Sequence, residues 1–343
     1  MRRLLNTLYV TSPDQYVARD GENLVVLHDN VVKIRVPAIQ LEQVICFNYT
    51  GASPAAMKLC VDNNISVSFM SESGRFLARV TGPVKGNVLL RSHQFLVTES
   101  EERCLPIARG VVAGKLANCR QVLLRGLRDH REKIDAGVVE HASDDLHRSY
   151  AQLLNADSLD TIRGIEGAAA SSYYKALDCL ILEDKDQFRM TFRSRRPPLD
   201  RVNALLSFLY TLLSNDITAS LEGVGLDPAV GFLHRMRSGR NSLALDLMEE
   251  LRPYLADRLA LSMINRRQLV SKDFTIKESG AVLLNDAARK DVLEAWQARK
   301  REMITHPFLE EKIEIGLLPH AQSLLLARYL RGDLDGYPPF LWR

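Results

Sequence analysis

In the stretch TIRGIEGAAA, residues 161–170, Glu166 sits between Gly164 and Gly167 and is followed by three alanines. Leu159, Ile162, Glu166, Ala169, Tyr173, Ala176 and Leu180 recur at spacings of three or four, so a helix here carries the carboxylate on its apolar stripe. An unpaired carboxylate on such a stripe suffers a large desolvation penalty. It is therefore neutral, salt-bridged or bound to a cation, unless the helix turns it slightly to solvent. The glycines sharpen the question: each weakens a helix by about 1 kcal/mol relative to alanine, and such glycines mark places where something approaches the backbone closely.

A second group lies in HRMRSGRNSLALDLMEELRP, residues 234–253: His234 with Asp246, Glu249 and Glu250. Asn241 or Ser242 can cap a helix whose apolar face holds Leu243, Leu247 and Leu251. Asp246 and Glu249, three apart, are neighbours on another face of it. Taken singly, the histidine is an ordinary structural residue and the acids a solvated face. The charge around them points further: Arg235, Arg237 and Arg240 follow the histidine, and no acid intervenes between Asp227 and Asp246. A phosphate-attracting loop beside carboxylates and an imidazole suits metal-dependent phosphodiester chemistry. Such ligands suit Mg²⁺ or Mn²⁺, the imidazole tilting the balance toward Mn²⁺.

The elements that must position these residues fall into two regions. LLNTLYV (4–10), NLVVL (23–27), VVKIRV (31–36), LEQVICF (41–47), ISVSFM (65–70) and FLARVTG (76–82) read as strands, with turn signals at Asp20-Gly21 and His28-Asp29-Asn30. One short helix is expected at 53–63, capped by Ser53 with Pro54 at its first position. From about residue 86 the period changes to 3.6, with long helical stretches at 107–134, 154–182 and 202–217. The segment 183–201 interrupts them with Arg189, Arg193, Arg195, Arg196 and a Pro-Pro pair, and a glycine-punctuated connection at 222–232 leads to His234. The expected organisation is α+β: a β-rich, β-sandwich-like N-terminal domain over 1–85 and a larger all-α domain over 86–343.

Composition agrees with a soluble globular chain. Of 343 residues 46% are hydrophobic and 25% charged, and a net charge of +3 leaves nucleic-acid binding to local clusters. Cys46, Cys60, Cys104, Cys119 and Cys179 form no CxxC pair, so reduced thiols are expected and a zinc site is not. MRRLLNTLYV lacks the apolar run of a signal peptide, and LLSFLYTLL (205–213) is too short to span a bilayer. A cytoplasmic protein with no membrane partner is expected.

GIEGAAASSYY (164–174) and GFLHRMRSGRNSLALDLMEELRP (231–253) closely resemble the two signature segments of the CRISPR adaptation integrase, the universal spacer-acquisition nuclease of CRISPR–Cas systems. The resemblance extends along essentially the whole chain and is greatest to the version found with subtype I-C systems. It implies an N-terminal β-domain and a helical catalytic domain. It also implies a metal site of Glu166, His234 and a later acid, which falls on Glu249, with Asp246 as a supporting acid or alternative ligand. The reaction implied is integration: two 3′-hydroxyl ends of a captured DNA fragment attack phosphodiester bonds at either end of a CRISPR repeat. With water in place of the hydroxyl, the same site is a metal-dependent DNA endonuclease. No covalent protein intermediate and no energy cofactor is expected, since transesterification conserves the bond.

Implied partners are double-stranded DNA, a second copy of the chain, and a dimer of a small ferredoxin-like adaptation subunit flanked by two such homodimers in a heterohexamer. The β-domain is expected to supply the dimer contact, since its edge strands need covering. Arg193, Arg195, Arg196, Arg235, Arg237 and Arg240 are the DNA-binding candidates, each with an ordinary surface arginine as its plain alternative. Tyr173 and Tyr174 are candidates for stacking on bases, the one on the apolar stripe being the better core residue. Gly164, Gly167 and the alanines are read as clearance for helices or DNA to approach Glu166. Two other readings stay open: a catalytically silent DNA-binding scaffold that keeps the fold, and a branched-DNA repair nuclease.

Overall fold

The computed structural model describes residues 6–48, 50–71, 74–80, 82 and 88–342. The chain divides into two compact units, Met1–Gly86 with Val292–Arg301, and Asn87–Asp291 with Glu302–Arg343. The junction expected at 85/86 lies outside the described residues, as do residues 4 and 5 of the first expected strand and 81 of the last.

The first unit holds β1 (Thr7–Val10), β2 (Gln15–Asp20), β3 (Asn23–His28), β4 (Val31–Pro37), β5 (Gln43–Cys46), β6 (Gly51–Ala52), α1 (Pro54–Asp62), β7 (Ser66–Met70) and β8 (Phe76–Val80). They form two four-stranded sheets. One runs β1-β5-β7-β8, parallel except at β8; the other runs β4-β3-β2-β6, antiparallel except where β2 meets β6. Side chains alternating along the strands (Leu8 and Val10, Leu24 and Val26, Val44 and Cys46) join one core with Leu59 and Cys60 of α1. Asp29 and Asn30, both at positive φ, make the two-residue turn that pairs His28 with Val31. Ser53 caps α1 by accepting the Ala56 amide.

The second unit is mostly helical: α2 (Val88–Thr98), α3 (Glu101–His130), α4 (Ala136–Leu154), α5 (Leu159–Cys179), α6 (Arg201–Val224), α7 (Ser242–Arg252) and α8 (Arg258–Asn265). A π-helical turn, Pro253–Asp257, links the last two. Two hairpins that the sequence reading did not anticipate follow, β9 (Phe274–Ile276) with β10 (Val282–Leu284), and β11 (Met303–Thr305) with β12 (Lys312–Glu314). Between the hairpins runs α9 (Asp286–Arg301), and α10 (Leu318–Leu330) comes last. The second half of α9 belongs to the first unit, where Gln297 donates to the Tyr9 hydroxyl at 3.0 Å and Trp296 is buried. Of the described helices α6 alone is long and apolar enough to cross a membrane, and 72% of its most apolar window is buried within the chain. All five cysteines are free.

Candidate active site

The second unit brings four pieces of chain to one place: the middle of α3, the first half of α5, the connection between α6 and α7, and α7 itself. The buried stripe of α5 is Ile162, Ala169, Tyr173 and Ala176, and Glu166 lies on it with a quarter of its side chain exposed. The α6–α7 connection starts at Gly225, which ends α6 at φ 87° with its amide bonded back to Leu221 and Glu222. Buried Gln94 of α2 then holds the connection from three sides, bonding the carbonyls of Asp227 and Val230 and the amide of Asp227.

Asp246 organises the other end of the connection. Its two oxygens accept the backbone amides of Phe232, Leu233 and His234 at 2.6, 3.0 and 2.9 Å, and Oδ1 also meets His234 Nδ1 at 2.7 Å. A carboxylate at Nδ1 makes that nitrogen the donor and leaves Nε2 with its lone pair facing the site. Gly231 makes this wrap possible: a Cβ there would fall 2.8 Å from Ser242 and 3.0 Å from Asp246 Oδ2. From α5, Arg163 bonds the Leu233 carbonyl at 2.7 Å and pairs with Asp160, which also pairs with Arg235.

Glu249, almost fully buried, meets Glu166 across Lys115 of α3. The Lys115 ammonium bonds Glu166 and lies 2.6 Å from Glu249 Oε2, off the direction of a proper hydrogen bond, so that buried oxygen has a charge partner and no hydrogen bond. His234 Nε2 is 3.9 Å from Glu249 Oε1, the oxygen that Arg252 also engages. Arg252 is in turn fixed over the Tyr210 ring at 5.3 Å and bonds the Tyr174 hydroxyl. Tyr174 and Tyr210 share a hydrogen bond, and Tyr210 and Tyr173 both donate to buried Asp257. Both tyrosines of α5 are therefore core residues, and neither is free to stack on bases. Burial opposes ionisation of Glu166, but Lys115 and then Arg252 hold its carboxyl below the usual range. Burial and Arg252 pull the Lys115 ammonium below its ordinary value, against Glu166. Glu250 points the other way: burial pushes it up to about 7, and it accepts from Tyr337, Gln322 and the Phe340 amide to dock the C-terminal segment.

No three His, Cys, Asp or Glu side chains among the described residues converge closely enough to hold a metal as they stand. The donor set nonetheless fits a hard divalent cation. Two carboxylates already surround one positive charge, one oxygen is buried without a hydrogen bond, and an imidazole lone pair is close by. Asp246 has both oxygens engaged by the 232–234 backbone, so in this arrangement it orients His234.

The arginines sort into two kinds. Arg193 turns inward, donating to the Ser194 carbonyl, Asn203 and Ser207 and stacking 5.1 Å over Tyr210, while Arg235 pairs with Asp160. Arg195, Arg196, Arg237 and Arg240 have no side-chain partner among the described residues. They lie within electrostatic reach of one another: after burial, Arg237 is what lowers Arg240 most, with Arg195 and Arg196 adding to it, while Asp246 opposes. The guanidinium of Arg195 is likewise lowered by burial and then by Arg252.

Gly164 and Gly167 correct one expectation. A Cβ at either would meet nothing within 4 Å, so they make no room for a helix of this unit. They leave the α5 backbone beside Glu166 open to the outside. Gly167→Leu is expected to raise helix stability by about 0.8 kcal/mol. It should lower the strand transfer that the resemblance implies about 10²-fold, the scale for displacing a reacting group by an ångström. Thermal unfolding and a strand-transfer assay on the same preparation check both signs, and loss of stability would refute the open-face account.

A β-sheet unit joined to a mostly helical one, with a carboxylate–imidazole cluster beside unpaired arginines, defines a nucleic-acid-acting α+β protein. A family model described as CRISPR associated protein Cas1 matches residues 8–298, and the chain belongs to this family. It is 49% identical to CRISPR-associated endonuclease Cas1 1 of Chlorobaculum tepidum, over the full length of both chains. In fold it is similar to a casposase bound to integration product, with a TM-score of 0.82 or better for that and for a Cas6-RT-Cas1–Cas2 complex. For the casposase the TM-score is 0.85 at 21% identity, covering 98% of this chain and 94% of that one. For the complex it is 0.82 at 22% identity, covering 98% of this chain and 36% of that one.

Lys115 and Arg252 are the site residues that the sequence reading missed. Lys115 follows Val111 and Val112 and precedes Cys119 on the buried side of α3, so it is a charge on an apolar stripe just as Glu166 is. That signal was present in 107–134 and is the one that could have found it.

Proposed function

We infer that this chain, a Cas1 endonuclease and integrase of CRISPR adaptation, joins the 3′-hydroxyl ends of captured double-stranded DNA to phosphodiester bonds of a CRISPR repeat at the Glu166–His234–Glu249 site. The observation that carries this is the meeting of Glu166 and Glu249 around a single cation, with His234 Nε2 beside them. Glu166, His234 and Glu249 are the residues to hold Mg²⁺ or Mn²⁺, with Asp246 holding the imidazole in register. Bound there, the ion supplies Lewis-acid stabilisation of charge on the scissile phosphate and the departing 3′-oxygen. The protein's own part is positional. Asp246 presents His234 Nε2, Arg252 anchors Glu249, and the open α5 backbone at Gly164 and Gly167 admits the DNA. Arg195, Arg196, Arg237 and Arg240 hold backbone phosphates.

We propose further that the chain works in the cytoplasm as a homodimer joined through the β-rich unit, two such homodimers flanking a dimer of a small ferredoxin-like subunit. Support for the dimer contact is the edge strand β4, whose Val31, Val32 and Ile34 are exposed. The test is transfer of a labelled 3′-hydroxyl fragment into a repeat duplex, with Mn²⁺ and with chelator. Product is expected only with the metal, and equal product in chelator would refute the metal-site reading. A silent scaffold would give no product in either. Removing Arg195, Arg196, Arg237 and Arg240 together is expected to flatten the log–log salt dependence of DNA binding by roughly 0.9 for each phosphate these side chains neutralise. An unchanged slope would remove them from the DNA path.

A further inference from the structure

We propose that Lys115 is a positioning residue that holds Glu166 and Glu249 about one point, and that a divalent cation binds there by displacing its ammonium. The proposal rests on the metal-site reading above. Carboxylates from two helices, α5 and α7, repel when brought together out of water, and a buried group of like charges is stable only with compensating charge. Lys115, with 3% of its side chain exposed, bonds Glu166 and touches Glu249, and among the described residues makes no other side-chain hydrogen bond. It is the only part of α3 that reaches both carboxylates among the described residues.

The charges in direct contact at the point balance, Asp246 lying behind His234 and outside them. Glu166 and Glu249 contribute −2, and Lys115 and Arg252 contribute +2. A dication entering such an enclosed site would leave it at +2, so its entry favours the loss of a resident cation from the site. Arg252 is fixed by Tyr174 and Tyr210 as well as by Glu249. Among the described residues Lys115 has only the two carboxylates as ion-pair partners, on a four-carbon stem with freely rotating bonds. The geometry therefore selects Lys115 as the cation that moves. The lysine keeps the carboxylates aligned in the metal-free protein and competes with the metal for them.

The test measures Mn²⁺ binding by calorimetry on the full chain, together with thermal unfolding in chelator. Lys115→Met keeps the stem and removes the charge. It is expected to unfold at lower temperature in chelator and yet bind Mn²⁺ about tenfold more tightly. Lys115→Arg keeps a charge with a stiffer head; its unfolding temperature in chelator should stay near the parent's and its Mn²⁺ affinity should fall about tenfold. A lysine that only supports the fold would weaken metal binding when removed, so equal or weaker binding by Lys115→Met overturns the proposal. Should that variant be unfolded in chelator, Mn²⁺ must restore it below the concentration that saturates the parent; failure to do so also overturns the proposal. Glu166→Gln and His234→Ala separate the two readings. If Mn²⁺ binding survives both, the metal site itself is misplaced; if they abolish it while Lys115→Met binds as the parent does, only the role of Lys115 falls.

Discussion

Glu166→Ala and His234→Ala are each expected to lower strand transfer about 10³-fold, the loss of roughly 4 kcal/mol of charge stabilisation at about 1.4 kcal/mol per tenfold. Neither variant should owe this to unfolding. Without Glu166, the Lys115 ammonium still has Glu249 at 2.6 Å, and the residue removed was already partly in solvent. Without His234, Asp246 still accepts the amides of Phe232, Leu233 and residue 234, so the connection keeps its course. DNA binding should persist in both variants. Loss of Glu166 makes the site more positive, and the unpaired arginines are untouched. The measurement is single-turnover strand transfer in saturating Mn²⁺, with DNA affinity and unfolding temperature determined alongside. Variants that retain parental rates would dismiss both residues as ligands; variants that lose DNA binding in step with rate would move them to a DNA-positioning role.

How far the sequence could be read depends on the length scale of each signal. Strands of four to seven residues with alternating apolar side chains were legible, except β2 (Gln15–Asp20), whose Gln15, Arg19 and Asp20 leave little apolar pattern, and so was the His28–Asn30 turn, because local chemistry dictates both. The three-residue strands β9 to β12 are too short to show a period, and the second half of α9 joins the β unit through contacts nearly three hundred residues away in sequence, such as Gln297 with Tyr9. Glu166 was legible because a charge on an apolar stripe is a local contradiction. Its resolution was not, since the Lys115 that meets it lies 51 residues earlier. The basic segment 189–196 looked uniform, yet the chain turns Arg193 inward to Asn203 and Tyr210 and leaves Arg195 and Arg196 without a side-chain partner among the described residues. Composition could not separate them, because the difference is made by residues of α6.

Asp246→Ala is expected to cost about 3–5 kcal/mol of stability, the range for removing one partner of a buried charged network. Three amides and His234 Nδ1 depend on this one carboxylate, whose side chain is 1% exposed. At about 2–4 °C per kcal/mol for a unit of this size, the unfolding temperature should fall by roughly 10 °C. Asp246→Asn is the finer probe. An amide offers one acceptor oxygen where the carboxylate offers two, so whichever way it turns, an NH₂ group faces a donor. It should fold with a smaller loss and release the imidazole from its tautomer, lowering Mn²⁺ affinity about 10–100-fold, as losses of such supporting hydrogen bonds do. Gly231→Ala should reproduce both effects from the other side, because its methyl group would press on Ser242 and on Asp246 Oδ2. If Asp246→Asn lost stability but bound Mn²⁺ as the parent does, the carboxylate would be a brace for the 232–234 backbone alone. If it lost Mn²⁺ completely with its stability intact, Asp246 would have to be a ligand in its own right, its backbone bonds giving way to the metal. The structure favours the outcome between these, since the same two oxygens fix the backbone and the ring together.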